Sequence, residues 1–296
     1  MKTDLRRSLA VLILAALFLA SFDLCAEPLR IVGSPTVNLP VAEAAQILRT
    51  ERGLEIQIST TGGSMAGLVA VGEGNAEIAM SSRALTAEDR ATYPEINFTE
   101  IHLGEQVVAL GVAKEVWEGG VHALSSAQAR AIYESRKRNW REAGGPDQKI
   151  GFYNFEEGHG TWELFAQWLY GDARKASSGG FPTIASDAEA RNILEFTPGA
   201  ITQISPLFLD GLRSHALALT QDDGSIVAPS AENVAMKKYP ITRPLFLVIN
   251  DKPTREVKVM TDFMRGARGQ ELMKKYGFYS ADALAAARPK EPSISE

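Results

Sequence analysis

The chain has 296 residues, of which 31 are basic and 36 acidic, for a formal net charge of −5, and it contains one cysteine. An acidic balance of this kind excludes nucleic acid and anionic membrane as electrostatically steered partners. Because the cysteine is Cys25, inside a leader-like segment, the rest of the chain has no disulfide, thiol nucleophile or thiolate metal site.

Lys2, Arg6 and Arg7 precede an apolar run over 9–22 and then Leu24-Cys25-Ala26. This is the layout of a signal peptide cleaved after Ala26, since the run is shorter than the roughly 20 residues a spanning helix needs. Lipidation of Cys25 wants a small residue before it, and Leu24 stands there. Residues 1–26 are therefore set apart from the fold, and the expected destination is the periplasm.

Residues 29–32 form a short apolar strand, and Val37, Val41, Ala44, Ala45 and Leu48 follow at helical spacing behind Thr36. Residues 54–58 alternate as a strand, 64–71 read as a helix and 77–80 as a strand. Residues 86–93 form a helix opened by the cap pattern Thr86-Ala87-Glu88-Asp89. A longer buried strand is expected over 107–113. Helix 127–133, strand 150–153, helices 161–170 and 188–194, strands 200–204 and 216–219, and helix 231–238 come next. Residues 245–249 are a second long apolar strand, and helices over 255–266 and 270–276 complete the series. Strands separated by helices imply mostly parallel sheets with crossovers. The strands 107–113 and 245–249 are expected side by side, as a double-crossover hinge between two lobes. The first lobe takes 27–106 plus 245–288 and the second 107–244; the tail, 289–296, is expected to be disordered.

Four of the strand-to-helix turns are rich in Gly, Ser and Thr: Gly33-Ser34-Pro35-Thr36, Ser59-Thr60-Thr61-Gly62-Gly63-Ser64, Ser81-Ser82-Arg83 and Gly158-His159-Gly160-Thr161. The first turn of a helix has backbone N–H groups without intrahelical partners and a positive dipole end. Small residues that admit close approach, together with hydroxyl donors, make such a turn a cradle for an oxyanion. Each residue also has a plainer reading: Ser34, Thr36 and Ser64 as ordinary N-caps, Arg83 in a surface ion pair. Likewise Trp140, Trp162 and Trp168 read as core, and Arg136-Lys137-Arg138 as a solvated loop.

The motifs, in order and spacing, resemble the substrate-binding proteins of phosphate ABC importers, the PstS-like branch of the type II periplasmic binding proteins. The carrying stretches include Gly33-Ser34-Pro35-Thr36-Val37, Thr61-Gly62-Gly63-Ser64, Ala79-Met80-Ser81-Ser82-Arg83, Glu156-Glu157-Gly158-His159-Gly160-Thr161, Pro198-Gly199-Ala200-Ile201 and Tyr239-Pro240-Ile241-Thr242-Arg243-Pro244. The resemblance covers nearly all of the chain after residue 26. It implies an α/β, two-lobed type II periplasmic binding fold, each lobe a mostly parallel sheet flanked by helices. It implies a monomeric, non-enzymatic receptor for inorganic phosphate or a related oxyanion, with an inner-membrane ABC permease as partner and neither cofactor nor metal. Carried over by position, the ligand-binding residues are Ser34, Thr36, Gly63, Ser64, Ser82, Arg83, Gly160 and Thr161, with His159 among them.

Two departures fall in the second lobe: Phe155 stands where the family has an arginine before Glu156, and His159 where it has a serine. Thr202-Gln203 also replace a Gly-Tyr pair. A charge-assisted hydrogen bond is worth roughly 1.5–3 kcal/mol, so a lost arginine weakens binding on the order of ten-fold or more. His159 compensates if it donates as an imidazolium, and affinity then falls as pH rises through the histidine range. The alternative is a sensory or scaffold protein of the same fold with a weakened or changed ligand site. A hydrolytic role for Ser64 or His159 finds no Ser-His-Asp ordering or metal cluster to support it.

Overall fold

The computed structural model describes residues 27–175 and 180–289. The leader 1–26 and, apart from its first residue, the tail 289–296 lie outside the described residues. The chain begins β1 (Leu29–Gly33), α1 (Pro35–Arg52), β2 (Ile56–Ser59), α2 (Gly63–Gly72), β3 (Ile78–Ser81), α3 (Ala87–Thr92) and β4 (Thr99–Val107). Helix α1 forms because Ser34 caps it and the apolar face Val37, Val41, Ala44, Ala45 and Leu48 is buried. Helix α3 carries the expected cap as a capping box between Thr86 and Asp89.

The second half continues with β5 (Ala109–Val112), α4 (Lys114–Glu118), β6 (Ala123–Ser125), α5 (Ser126–Tyr133), β7 (Gly151–Phe155), α6 (Gly160–Tyr170), β8 (Thr183–Ile184), α7 (Asp187–Phe196) and β9 (Ala200–Ile204). It then runs through β10 (His215–Ala216), β11 (Ala218–Thr220), β12 (Ile226–Val227) and α8 (Ala231–Ala235). β13 (Thr242–Ile249) returns to the first sheet, followed by α9 (Arg255–Arg265), α10 (Ala267–Lys275), β14 (Phe278–Ser280) and α11 (Ala281–Ala287).

Two main sheets result, a six-stranded one ordered β14-β4-β13-β3-β1-β2 and a five-stranded one ordered β10-β5-β9-β7-β8. A three-stranded sheet, β12-β11-β6, joins the second. Each main sheet has its own core: Ile31, Val37, Ile78, Met80, Leu247 and Met260 in the first, Leu110, Tyr133, Trp140 and Phe165 in the second. Trp140 and Trp162 are buried, as their core reading requires.

Both main sheets are mixed rather than mostly parallel. β1, β2 and β3 pair in parallel, but β13 enters antiparallel between β3 and β4, and β14 lies antiparallel on β4. In the second sheet β7 pairs in parallel with β8 and β9, while β5 is antiparallel to β9 and β10. The reason is the double crossing: a strand that re-enters a sheet from the other lobe arrives from the opposite end.

The hinge also differs from the expected pair of strands. The apolar run 107–113 is not one strand: Val107 ends β4 in the first sheet, and Ala109 begins β5 in the second. β13 pairs along β4, from Thr242 opposite Val107 to Ile249 opposite Thr99. Beyond that pairing the two crossings meet at Val108, whose N–H donates to the Ile241 carbonyl at 3.0 Å and whose carbonyl accepts from Tyr239 OH at 3.1 Å. Strand β4 escaped the sequence pattern because its first half is largely exposed and carries Glu100 and His102 among its apolar residues.

Candidate functional site

β2, β1 and β3 are adjacent and parallel, so their carboxyl ends, and the turns that follow them, lie side by side about 4.8 Å apart. Gly33 makes the closest approach. Its φ is +144°, Ser34 N–H donates to the Met80 carbonyl at 2.8 Å, and a Cβ at Gly33 would lie 2.1 Å from that oxygen. Ser34 Oγ accepts from Thr36 N–H at 3.3 Å, which makes it the cap of α1, directly behind Thr36. Helix α2 starts at Gly63 behind Gly62, which has no side chain to cap it; Gly63 N–H donates to the Thr60 carbonyl at 3.3 Å, and the N–H groups of Ser64 and Met65 keep their capacity for an anion. Ser64 Oγ accepts from Ser82 N–H at 3.1 Å and lies 3.4 Å from Ser82 Oγ. The second and third turns are thereby tied together.

Arg83 adopts its plainer reading. Its guanidinium binds both carboxylate oxygens of Asp89, at 2.5 and 2.9 Å, and the Ala84 carbonyl at 3.0 Å. That pairing holds the Asp89 carboxyl far below the usual carboxylate range. The guanidinium is thereby held at the N-terminus of α3.

The opposite wall is the start of α6. His159 is its N-cap, with Nδ1 accepting from Thr161 N–H at 3.2 Å. An Nδ1 that accepts leaves the proton on Nε2 and the ring neutral. Burial lowers the pKa of His159, Arg243 lowers it further, and only Glu156 opposes them. Of the two protonation states the sequence leaves open for His159, burial and Arg243 favour the neutral ring, a cap with Nε2–H as its donor. Phe155, fully buried, stacks beneath this ring with centroids 4.4 Å apart and planes at 22°. The two departures from the family pattern thus pack against each other. Thr202 and Gln203 are buried within β9, where Gln203 Nε2 donates to Asn154 Oδ1 at 2.8 Å.

The cation of the cleft is Arg243 on β13. Its Nε donates to Gln106 Oε1 at 2.7 Å, and its Nη2 donates to Thr36 Oγ1 at 2.8 Å and to the Gly160 carbonyl at 3.2 Å. Glu163 stands 3.6 Å from Nη1. One guanidinium therefore joins the first-lobe turn, the second-lobe helix start and the hinge. Burial pulls its pKa below the ordinary arginine value, and Glu163 opposes the shift. Gly160 leaves room for this contact: a Cβ there would lie 2.5 Å from Arg243 Nη2 and 3.2 Å from Thr36 Oγ1, so the guanidinium would have to shift. The sequence carries one signal for Arg243, a charged residue inside an otherwise apolar strand.

A cavity of about 270 Å³ opens at this junction, lined by Thr36, Leu39, His159, Gly160, Thr161 and Glu163, with Asp187 and Phe208 also on its walls. Burial pushes the Asp187 carboxyl up to about 6. Of the residues expected to touch ligand, Thr36, His159, Gly160 and Thr161 share this cavity. Ser34, Gly63, Ser64 and Ser82 stand in the adjoining first-lobe turns, and Arg83 is paired elsewhere.

A PBP superfamily domain matches residues 25–271. The phosphate-binding protein PstS of Bacillus subtilis is 29% identical over 239 residues, covering 80% of this chain and 75% of that protein. A putative phosphate ABC transporter substrate-binding protein of Clostridium perfringens, solved with bound phosphate, is 27% identical with a TM-score of 0.59, over 86% of this chain and all of that one. An ABC-type phosphate transport receptor of Vibrio cholerae shares the fold at a TM-score of 0.64 and 22% identity, over 85% and 99% of the two chains.

Proposed function

The chain belongs to the PBP superfamily, and from that premise we propose that its cleft captures inorganic phosphate, or a related oxyanion, outside the inner membrane for delivery to an ABC permease. One observation carries the reading. A largely buried arginine from the hinge strand reaches Thr36 at the start of α1 on one wall and Gly160 at the start of α6 on the other. Arg243 then supplies the charge-assisted donor that Phe155 does not. Thr36 Oγ1, the Ser64 and Ser82 hydroxyls, the first-turn N–H groups of α6 and His159 Nε2–H supply neutral donors. A guanidinium that touches both walls also links anion binding to their closure, which is how a receptor of this fold would signal occupancy to a permease. Nothing in this arrangement calls for bond breaking, and the reading is of a receptor rather than an enzyme.

The relatives named above are phosphate-binding proteins, which supports phosphate as the first ligand to test. Glu163 and Asp187 on the cavity wall favour a second reading, a receptor whose ligand has changed to one that carries protons or cations on that side. Calorimetric titration of residues 27–296, stripped of anion, separates the two. Saturable phosphate binding that is lost in Arg243→Ala supports the first. Absence of heat with phosphate, arsenate, sulfate and molybdate overturns it.

A further inference from the structure

The basic run Arg136-Lys137-Arg138 is not a free loop. The hairpin that holds it pairs Asn139 with Lys149, Ile150 N–H donates to the Arg138 carbonyl at 2.8 Å, and Trp140 N–H donates to the Gln148 carbonyl at 2.8 Å. Trp140 anchors the hairpin, fully buried, with Nε1 donating to the Gly199 carbonyl at 2.9 Å. The hairpin forms one rim of an open cavity of about 440 Å³ in the second lobe, carrying Lys137, Arg138 and Lys149. Phe181 and Tyr153 line the same cavity above the buried Phe152, whose ring is 4.9 Å from that of Phe181.

Among the described residues no carboxylate lines this cavity and none forms an ion pair with these three cations. Arg136, outside it, pairs with Glu134 at 2.8 Å. Glu142 belongs to the same hairpin: its carboxylate accepts the backbone N–H groups of Arg138 and Asn139 at 3.0 and 2.9 Å, and Lys137 attracts it without an ion-pair contact. Lys137 Nζ donates to the Glu142 carbonyl, and Arg138 Nε to the Ser135 carbonyl at 3.2 Å. Three cations held on one rim by backbone pairing repel one another unless an anion joins them. Three call for a dianionic head, and the aromatic wall calls for a flat apolar body. We propose that this cavity is a second ligand site, distinct from the cleft, for an organic phosphate monoester with an aromatic body.

The test uses residues 27–296 saturated with inorganic phosphate, so that the cleft is occupied, and titrated with phenyl phosphate by calorimetry. Saturable binding is expected. The exposed pair of substitutions Arg138→Gln and Lys149→Gln should weaken it about five- to ten-fold, the sum of two solvent-screened charge contacts. Phe181→Ala should weaken it several-fold, and Arg136→Gln, an equal loss of charge outside the cavity, should leave it unchanged. Three results would overturn the proposal: no binding at millimolar phenyl phosphate, equal weakening by Arg136→Gln, or displacement by further inorganic phosphate. Circular dichroism of each variant establishes that the fold is retained.

Discussion

The two walls of the cleft solve the same problem differently. The first-lobe wall is built from hydroxyls and small residues at the ends of parallel strands, and it is internally hydrogen-bonded: Ser34 caps Thr36 and Ser64 holds Ser82. The second-lobe wall is built from a helix start capped by a neutral histidine on a buried phenylalanine, with Glu163 and Asp187 beside it. Among the described residues neither wall brings an unpaired cation. The charge arrives from the hinge strand, so this cleft depends on one arginine that belongs to both walls, and its electrostatics are tied to its closure.

The largest effect that would break this comparison is at Arg243. Arg243→Ala should reduce phosphate affinity about 100-fold or more, the loss of at least one strong charge-assisted contact and the gap it leaves. Arg243→Lys should recover part of it, since the charge remains without the planar fork. Calorimetry measures both, and full affinity in Arg243→Ala would assign the anion's charge partner elsewhere. Next is Gly160→Ala, whose added methyl would press on Arg243 Nη2 and Thr36 Oγ1. An affinity loss of about ten-fold with little change in thermal stability is expected, because the clash exists only when the walls meet.

Thr36→Ala and Ser64→Ala should each weaken binding by about ten-fold or less, the worth of one neutral donor. If both leave affinity unchanged, the first-lobe wall is not part of the site.

The smallest effects are in pH, and they run oppositely for the two titrating groups of the second wall. Asp187 is raised from 3.8 to about 6, so the folded state holds a proton that the unfolded chain has released. Its contribution favours folding below 3.8 and is lost as pH rises toward about 6, so Asp187→Asn should raise the melting temperature at pH 7. The same substitution removes a carboxylate from the anion's cavity and should tighten phosphate binding above pH 6. His159 is lowered from 6.5, so its contribution is full above that value and is lost as pH falls through its depressed folded value. His159→Asn, which keeps a capping oxygen, should flatten that acid-side loss of stability.

Much of this molecule was legible from local pattern. The helices over 37–48, 161–170 and 188–194, the strands over 29–32, 200–204 and 245–249, and the Thr86 cap all stand within a few residues of where periodicity placed them. The turns were legible for the same reason, because Gly, Ser and Thr act on backbone groups two or three positions away. For His159 the sequence left the protonation state open. Its charge depends on Phe155 beneath it and Arg243 beside it, and their positions are not a local property.

By itself, the sequence determined the order of elements, the caps and the small-residue turns, since each rests on hydrogen bonds and side-chain spacing within one or two helical turns. Only the tertiary structure decided that Arg83 would be taken by Asp89 and that β13 would enter its sheet antiparallel. It alone decided that Arg243 would meet Thr36 and Gly160, which are 207 and 83 residues away along the chain. Contacts at such separations depend on how two sheets are joined, and a double crossing places the hinge strand at the one point both lobes share.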